Sequence, residues 1–226
     1  MVLYWTVWII VRTFARLLFR LRISGHGHIP QSGGVLIAAN HASYLDIPIL
    51  GCALPRRASF IGRMDLFAGI VGSTLRYLGW IPIRRGQVDR KAFDEAVRRL
   101  KAGQLVVIYP EGSRTEDGQL QPGKPGIGMM AATAGCPVVP ALLEGTYEAL
   151  PPGAKWIRFR PIRVAFGEPM DFSAMLESNE SEDTKKFAYQ QISQEIMDRI
   201  AELRQQASSH PNPLREKEGK VTGISS

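Results

Sequence analysis

The sequence predicts an α/β fold, with a central, largely parallel or mixed sheet flanked by helices and an amphipathic helix at the N-terminus. Three observations carry this. Short apolar runs of strand character alternate with segments of helical period along most of the chain. Two of those runs end in loops that carry polar, chemistry-bearing residues, at Asn40 to Asp46 and at Pro110 to Thr115. The first twenty residues after Met1 combine a nearly unbroken apolar run with regularly spaced arginines. A length of 226 residues suits one such domain with a real core. With 45% hydrophobic and 22% charged residues, global disorder is excluded.

Val2 to Leu21 reads VLYWTVWIIVRTFARLLFRL. Arg12, Arg16 and Arg20 recur every four residues, one slowly drifting stripe of a helix, with Phe14, Leu17, Leu18 and Leu21 largely off it. Twenty helical residues span about 30 Å, enough to cross a bilayer. A central arginine costs roughly 2.5–3.5 kcal/mol on insertion, however. A helix lying in the interface avoids that cost: its arginines meet lipid phosphates while Tyr4, Trp5 and Trp8 sit at headgroup level. A helix packed on the domain's own core is the remaining alternative. With no basic leader before the apolar run, a signal peptide is not expected. The expected organisation is a membrane-interface helix at 1–24, an α/β domain at 25–207 and a disordered tail at 208–226.

The remaining elements follow in order. Pro30 to Gly34 is a turn and Val35 to Ala39 a buried strand. Ile47 to Leu54 reads as a helix, Phe60 and Ile61 as part of a strand, Leu66 to Leu78 as a helix, and Trp80 to Ile83 as a short strand. Asp89 caps a helix reaching Lys101, with Phe93, Ala96, Val97 and Leu100 inward and Gly103 stopping it. Leu105 to Tyr109 and Val138 to Leu143 are strands, with a short helix at Gly128 to Ala134 between them. Ile157 to Phe166 alternates but slips phase around Pro161, which predicts an edge strand or a bulge. Glu182 to Gln206 is an amphipathic helix with Ala188, Ile192, Ile196, Ile200 and Leu203 inward. In largely parallel sheets, sites form at the carboxyl ends of strands, so the two strand-end loops draw the chemistry.

Charge narrows the partners. Lys plus Arg is 28 against 21 acids, a net +7, and no acid precedes Asp46. This favours an anionic partner: nucleic acid, a phosphorylated substrate or membrane headgroups. Cys52 and Cys136 form no CxxC pair, which argues against a disulfide scaffold or a cysteine zinc site. His26 and His28 lack a third ligand at metal-like spacing unless His41 is taken, so no metal is expected. No Walker loop and no dinucleotide glycine motif occurs.

His41 and Asp46 bracket a turn after a buried strand. A carboxylate bonded to one imidazole nitrogen fixes the tautomer and raises the basicity of the other. Such a pair can take a proton from a substrate hydroxyl, since imidazole's ordinary pKa of about 6.5 suits a base at neutral pH. The plain reading has Asp46 capping the next helix and His41 as a satisfied turn residue. Ser43 lies between them, but no G-x-S-x-G elbow exists, and a turn or capping role is expected. In the second loop, Glu111, Gly112, Ser113 and Arg114 combine close backbone approach, a hydroxyl and a guanidinium, the makings of a phosphate seat. An ordinary polar turn with an internal Glu–Arg pair is the alternative. Arg63, Arg84, Arg85 and Lys124 add basic groups, each of which taken alone reads as a surface charge.

Taken together, four segments resemble the blocks of the 1-acylglycerol-3-phosphate acyltransferase (lysophosphatidic acid acyltransferase) family of glycerolipid acyltransferases. NHASYLD, Asn40 to Asp46, resembles the family's N-H-x4-D block. GWIPIRR, Gly79 to Arg85, resembles G-x-x-F-I-x-R with Pro82 for the aromatic. YPEGSRTEDG resembles F-P-E-G-T-R-S with Ser113 and Thr115 exchanged in type. CPVVPALLEGT resembles the fourth block, carrying Pro137 and Pro140. The blocks keep the family's order over roughly residues 35 to 145.

The resemblance implies transfer of a fatty acyl group from acyl-CoA or acyl carrier protein to the free sn-2 hydroxyl of 1-acylglycerol 3-phosphate, giving phosphatidic acid in phospholipid biosynthesis. It implies His41 as general base and Asp46 as its orienting partner, without a covalent acyl-enzyme. Arg63, Arg85 and Arg114 would hold the acceptor phosphate, Glu111 would position Arg114 and its loop, and Gly112 and Ser113 would shape the seat. Pro137 and Pro140 would shape the acyl channel. No cofactor is expected beyond the thioester co-substrate. The expected location is the cytoplasmic face of a membrane, peripheral or monotopic, in a compact bacterial protein, with an anionic lipid surface as partner. The competing readings are an acyltransferase for glycerol 3-phosphate, another lysophospholipid or lyso-ornithine lipid, a non-catalytic lipid-binding membrane protein, and a nucleic-acid binder. The last is disfavoured because the arginines sit among Trp, Ile and Leu and no recognition module is evident.

Overall fold

In the computed structural model, residues 2–63, 73, 76–83, 89–176 and 181–209 are described. The strands are β1 (Arg22–Ser24), β2 (Val35–Ala39), β3 (Ala58–Arg63), β4 (Ile81–Ile83), β5 (Leu105–Ile108), β6 (Val138–Glu144) and β7 (Arg163–Phe166). They form one seven-stranded sheet in the order β1-β7-β6-β2-β5-β3-β4. Every pairing is parallel except β6 with β7. The sheet is thus mixed and largely parallel, as the alternation of elements predicts.

β2 lies at the centre between β5 and β6, with Ile37 opposite Val107 on one side and Val139 on the other. Its five residues are all buried, as expected for a central strand covered on both faces. Alternate side chains supply two cores. Val35, Ile37 and Ala39 join Leu105, Val107, Val139 and Ala141 under helices α1 (Val2–Leu18) and α2 (Asp46–Ala53). Leu36 and Ala38 join Val106, Val138 and Leu142 under α3 (Arg90–Lys101), α4 (Pro125–Ala134) and the long C-terminal α6 (Glu182–Ser209). A short α5 (Thr146–Ala149) follows β6. Asp89 caps α3 by accepting from the Ala92 amide, and Ala96, Val97 and Leu100 point inward. Along α6, Ile192, Ile196 and Ile200 are fully buried, the i, i+4, i+8 stripe of the sequence. The helix expected over Leu66 to Leu78 lies mostly outside the described residues, as does the tail from 210 onward.

Two expectations change. β1 has no clear sequence signal. Its three residues pair with β7, Ile23 opposite Val164, so β1 is a strand because β7 offers a free edge. Conversely, Ile157 to Arg160 reads as alternating strand yet is irregular, and pairing begins only at Arg163 opposite Glu144. The partner has ended there: β6 gives way to a turn at Gly145, whose φ is +84° and whose site a Cβ would fill against the Pro161 carbonyl.

The N-terminal helix is present, with its faces divided differently from the arginine-stripe reading. Arg12, Trp8 and Tyr4 turn toward the protein. The Arg12 guanidinium donates to the Cys52 carbonyl at 2.9 Å and lies over the Trp8 ring. Trp8 Nε1 donates to the Leu54 carbonyl, and the Tyr4 hydroxyl accepts from the Ala58 amide. The reason is the C-terminal end of α2, whose carbonyls lack helical partners and attract donors and cations. Arg16 and Arg20 stay exposed, as do Leu3, Ile10, Phe14 and Leu17 on the opposite side. Among the described residues no helix is long and apolar enough to cross a membrane.

Candidate active site

The site is built at the carboxyl ends of β2 and β5. Leaving β2, Asn40 extends the sheet with its side chain: the amide nitrogen donates to the Leu143 carbonyl at 3.0 Å, and its oxygen accepts from the Leu143 amide at 2.7 Å. This locks the strand end to β6 and fixes where His41 emerges.

His41 and Asp46 are brought together. His41 Nδ1 lies 2.8 Å from Asp46 Oδ2, and the carboxylate is fully buried. The same oxygen accepts the backbone amides of Ala42 and Ser43, each at 2.7 Å. Asp46 therefore turns back onto its own loop rather than capping α2 forward. A carboxylate oxygen only accepts, so Nδ1 carries the proton and Nε2 keeps the lone pair. Nε2 has no partner among the described residues, and the imidazole is 15% exposed. Three donors thus converge on one carboxylate oxygen at the N-terminus of α2.

Two contacts hold the ring and its backbone. The imidazole stacks on Tyr109, centroids 4.0 Å apart and planes at 15°. Burial and, after it, the neighbouring Asp46 charge push the Tyr109 phenol well above its ordinary range, so it stays neutral. The His41 amide donates to Glu111 Oε1 at 3.0 Å, and the His41 carbonyl accepts from the Thr115 amide at 2.9 Å. The two strand-end loops are thus cross-linked through His41. Asn40 and Tyr109 open two of the motif blocks, but the sequence assigns neither a role: the Asn40 link to β6 and the Tyr109 stack on His41 depend on the strand order.

Glu111 is buried, and its carboxylate is directed at the His41 amide. Among the described residues it forms no pair with Arg114, contrary to the arrangement the resemblance implied. Burial raises its pKa to about 7, partly opposed by the His41 amide. Gly112 and Ser113 are exposed and Arg114 is half-buried. Arg114 lies over the ring of Tyr44, 3.6 Å from its centroid, which brings a cation beside the His41 loop. Arg63 closes β3, opposite Ile83 in the register. Its side chain, and all of Arg84 and Arg85, lie outside the described residues.

Ser43 is excluded as a nucleophile by its bonding. Its hydroxyl is fully buried, donates to the Leu150 carbonyl at 2.8 Å and accepts the Leu45 amide. No group of three His, Cys, Asp or Glu residues able to hold a metal occurs among the described residues.

An apolar groove of about 540 Å³ runs from Tyr44 and Ile47, beside the histidine loop, between α1 and α2 to Phe60 and Trp80. Pro137 and Pro140 take no part in it. Pro140 faces a separate cavity of about 900 Å³ between β1, β7 and α6, because it is an alternate residue of β6 that points to the opposite side of the sheet.

The acyltransferase family model matches residues 20–144. The chain is 32% identical over 159 residues to the chloroplastic 1-acyl-sn-glycerol-3-phosphate acyltransferase BAT2 of Brassica napus, a match covering 67% of this chain and 45% of that protein. It is 27% identical over 153 residues to the 1-acyl-sn-glycerol-3-phosphate acyltransferase of Bacillus subtilis, covering 66% and 73% respectively. The crystal structure of the 1-acyl-sn-glycerophosphate (LPA) acyltransferase PlsC from Thermotoga maritima superposes with a TM-score of 0.64 at 27% identity, over 88% of this chain and 81% of that one. A histidine–carboxylate pair at strand ends of a mixed α/β sheet thus occurs in a chain whose matches are acyl-transferring enzymes. The chain belongs to the acyltransferase family. It spans just under half the length of the plant relative.

Proposed function

We propose that this chain transfers a fatty acyl group from an acyl thioester, carried on CoA or acyl carrier protein, to the free sn-2 hydroxyl of 1-acylglycerol 3-phosphate. The products are phosphatidic acid and a free thiol. The observation that carries the reading is the 2.8 Å bond from His41 Nδ1 to buried Asp46, which leaves Nε2 as a base at the mouth of the site.

In the proposed mechanism, Nε2 accepts the proton of the acceptor hydroxyl as its oxygen attacks the thioester carbonyl. Asp46 holds the imidazole in the required tautomer and stabilises the imidazolium that forms. The tetrahedral adduct then collapses, the carbon–sulfur bond breaks, and the imidazolium returns its proton to the departing thiolate. No acyl-enzyme forms. Ser43 supports this by having its hydroxyl already committed to Leu150. Arg114, with Arg63 and Arg85, would take the acceptor phosphate, to which a guanidinium offers paired donors. Glu111 positions His41 through its amide, Gly112 and Ser113 give the loop its exposed turn, and the groove along α2 receives an acyl chain. Acceptor and donor both carry long chains, so the site works against a lipid surface. The outward face of α1, with Leu3, Ile10, Phe14 and Leu17 beside Arg16, suits it to lie in the interface on the cytoplasmic side, where the thioesters are made.

The test uses purified full-length protein in detergent with 1-acylglycerol 3-phosphate and palmitoyl-CoA, following free thiol and phosphatidic acid together. The two should rise in equal amounts. If they do not, palmitoyl-acyl carrier protein and a panel of glycerol 3-phosphate, other lysophospholipids and lyso-ornithine lipid follow. Silence across that panel overturns the reading.

A further inference from the structure

The segment between α5 and β7 reads KWIRFR from Lys155 to Arg160 and lies outside all the motif blocks. It does what an ordinary loop avoids. Trp156 is 83% exposed, Phe159 62% and Ile157 47%, and cationic Lys155 and Arg158 are interleaved among them on the surface. A scattered exposed leucine means little, but a nearly bare tryptophan with an isoleucine and a phenylalanine within four residues is a patch that water disfavours.

The loop is held from within rather than left free. The Ala154 amide donates to the Pro151 carbonyl, the Arg158 amide to the Ala149 carbonyl at 2.8 Å, and the Ile162 amide to the Phe19 carbonyl at 2.9 Å. The Phe159 ring meets Phe19 edge-on, centroids 5.6 Å apart, just beyond the end of α1. There α1 exposes Phe14, Leu17 and Leu18 together with Arg16, and exposed Arg20 follows just past its end. The loop and the helix end thus form neighbouring apolar surfaces, both interleaved with positive charge.

We infer that the 154–160 loop is a second membrane-contacting element, inserting Trp156, Ile157 and Phe159 at the interface of an anionic lipid bilayer while Lys155 and Arg158 meet its phosphates. The aromatic–cation alternation matches the two layers of such an interface, apolar boundary and charged headgroups. It fits a bilayer better than a second protein, whose interface core is depleted of lysine. The inference rests on the lipid-acylating reading and deepens it. The Leu150 carbonyl, at the root of this loop, accepts the Ser43 hydroxyl between His41 and Asp46. A loop fixed on the bilayer therefore fixes the height of the catalytic pair above it, where α1 alone would allow roll about its axis.

The experiment is flotation of the full-length protein with vesicles of phosphatidylcholine and phosphatidylglycerol, 3:1, and with vesicles of phosphatidylcholine alone. The triple variant Trp156→Ser/Ile157→Ser/Phe159→Ser should bind the anionic vesicles more than about tenfold more weakly. Lys155→Ala/Arg158→Ala should lose about fivefold per charge, and only on the anionic vesicles. The charge variant alters exposed side chains alone and should keep the wild-type thermal midpoint; the triple variant also loses the Phe159–Phe19 contact, about 1 kcal/mol, and its midpoint should fall by a few degrees. Turnover of detergent-dispersed acceptor should match wild type in both. That detergent arm separates the two proposals: a wild type silent in detergent across the donor and acceptor panel sinks the function, whereas vesicle binding judges the loop. As a check free of any folding effect, lipids brominated in their acyl chains should quench the Trp156 contribution, taken as the difference between wild type and Trp156→Phe. Unchanged vesicle affinity with no quenching overturns the inference. So does a wild-type dimer that the triple variant converts to monomer without loss of vesicle binding, since the patch then covers a second copy.

Discussion

The two loops that leave parallel strands are built on opposite plans. In Asn40 to Asp46 nearly every polar group is satisfied from inside: Asn40 by β6, Ser43 by Leu150, and Asp46 by the imidazole and two amides. What is left over is Nε2 of His41, which faces the site, and the buried Oδ1 of Asp46, which faces no donor among the described residues. In Glu111 to Arg114 the inner residue is turned inward, while Gly112 and Ser113 are exposed and Arg114 rests on Tyr44. The difference teaches how such a site divides labour. A proton-transfer group needs one fixed geometry, so its loop is frozen by buried bonds. On the proposed reading the second loop receives a mobile lipid phosphate, which needs reach, and its exposed residues suit that.

Breaking the frozen loop should have the largest effect. Asp46→Ala removes the acceptor for three donors and the partner of His41. Turnover should fall by about 10²–10⁴, with about 2–4 kcal/mol lost in denaturant unfolding. A variant with normal stability and normal turnover would show that the buried carboxylate does neither job.

Loosening the outward loop should act on binding rather than chemistry. Arg114→Ala is expected to raise KM for the phosphate-bearing acceptor roughly tenfold, with a smaller change in kcat. Arg114→Lys should recover only part, since an ammonium offers no fork. Equal losses with a phosphate-free acceptor would remove Arg114 from the phosphate seat.

Glu111 joins the two plans and predicts a pH signature. Its folded pKa of about 7 lies above the ordinary 4.5. Between those values the folded state holds more protons than the unfolded one, so stability falls as pH rises and levels off above about 7. The amplitude is roughly 3 kcal/mol, and Glu111→Gln should remove it in unfolding measured from pH 4.5 to 8. An unchanged pH profile in the variant would place the titration elsewhere.

The smallest effect is expected at Gly112, whose φ is +71°. A Cβ there would meet the flexible end of Lys124, which can move aside. The cost of Gly112→Ala is then backbone strain alone, about 1 kcal/mol, or a midpoint lower by about 2–4 °C.

Much of this is legible in the sequence. The central strands declare themselves as VLIAA and LVVI because burial on both faces demands unbroken apolar runs. The Asp89 cap and the isoleucine stripe of α6 are equally local signals. His41 and Asp46 were readable because their partnership spans a single turn. What sequence could not give was whatever depends on a neighbour distant along the chain. β1 is a strand only because β7 has a free edge, and Ile157 to Arg160 is not one because β6 has ended. Arg12 faces inward because the carbonyls ending α2 await it. The stacking of Tyr109 beneath His41 needs β2 and β5 side by side, and Glu111 grips the His41 amide rather than Arg114 for the same reason.

The central claim is that the lone pair left on His41 is the base, and turnover of His41→Ala tests it most directly. With 1-acylglycerol 3-phosphate and palmitoyl-CoA in detergent, thiol release and phosphatidic acid should both fall by about 10²–10⁴ relative to wild type, with the thermal midpoint and acceptor KM little changed. Turnover within a few-fold of wild type in a folded His41→Ala protein would contradict the account.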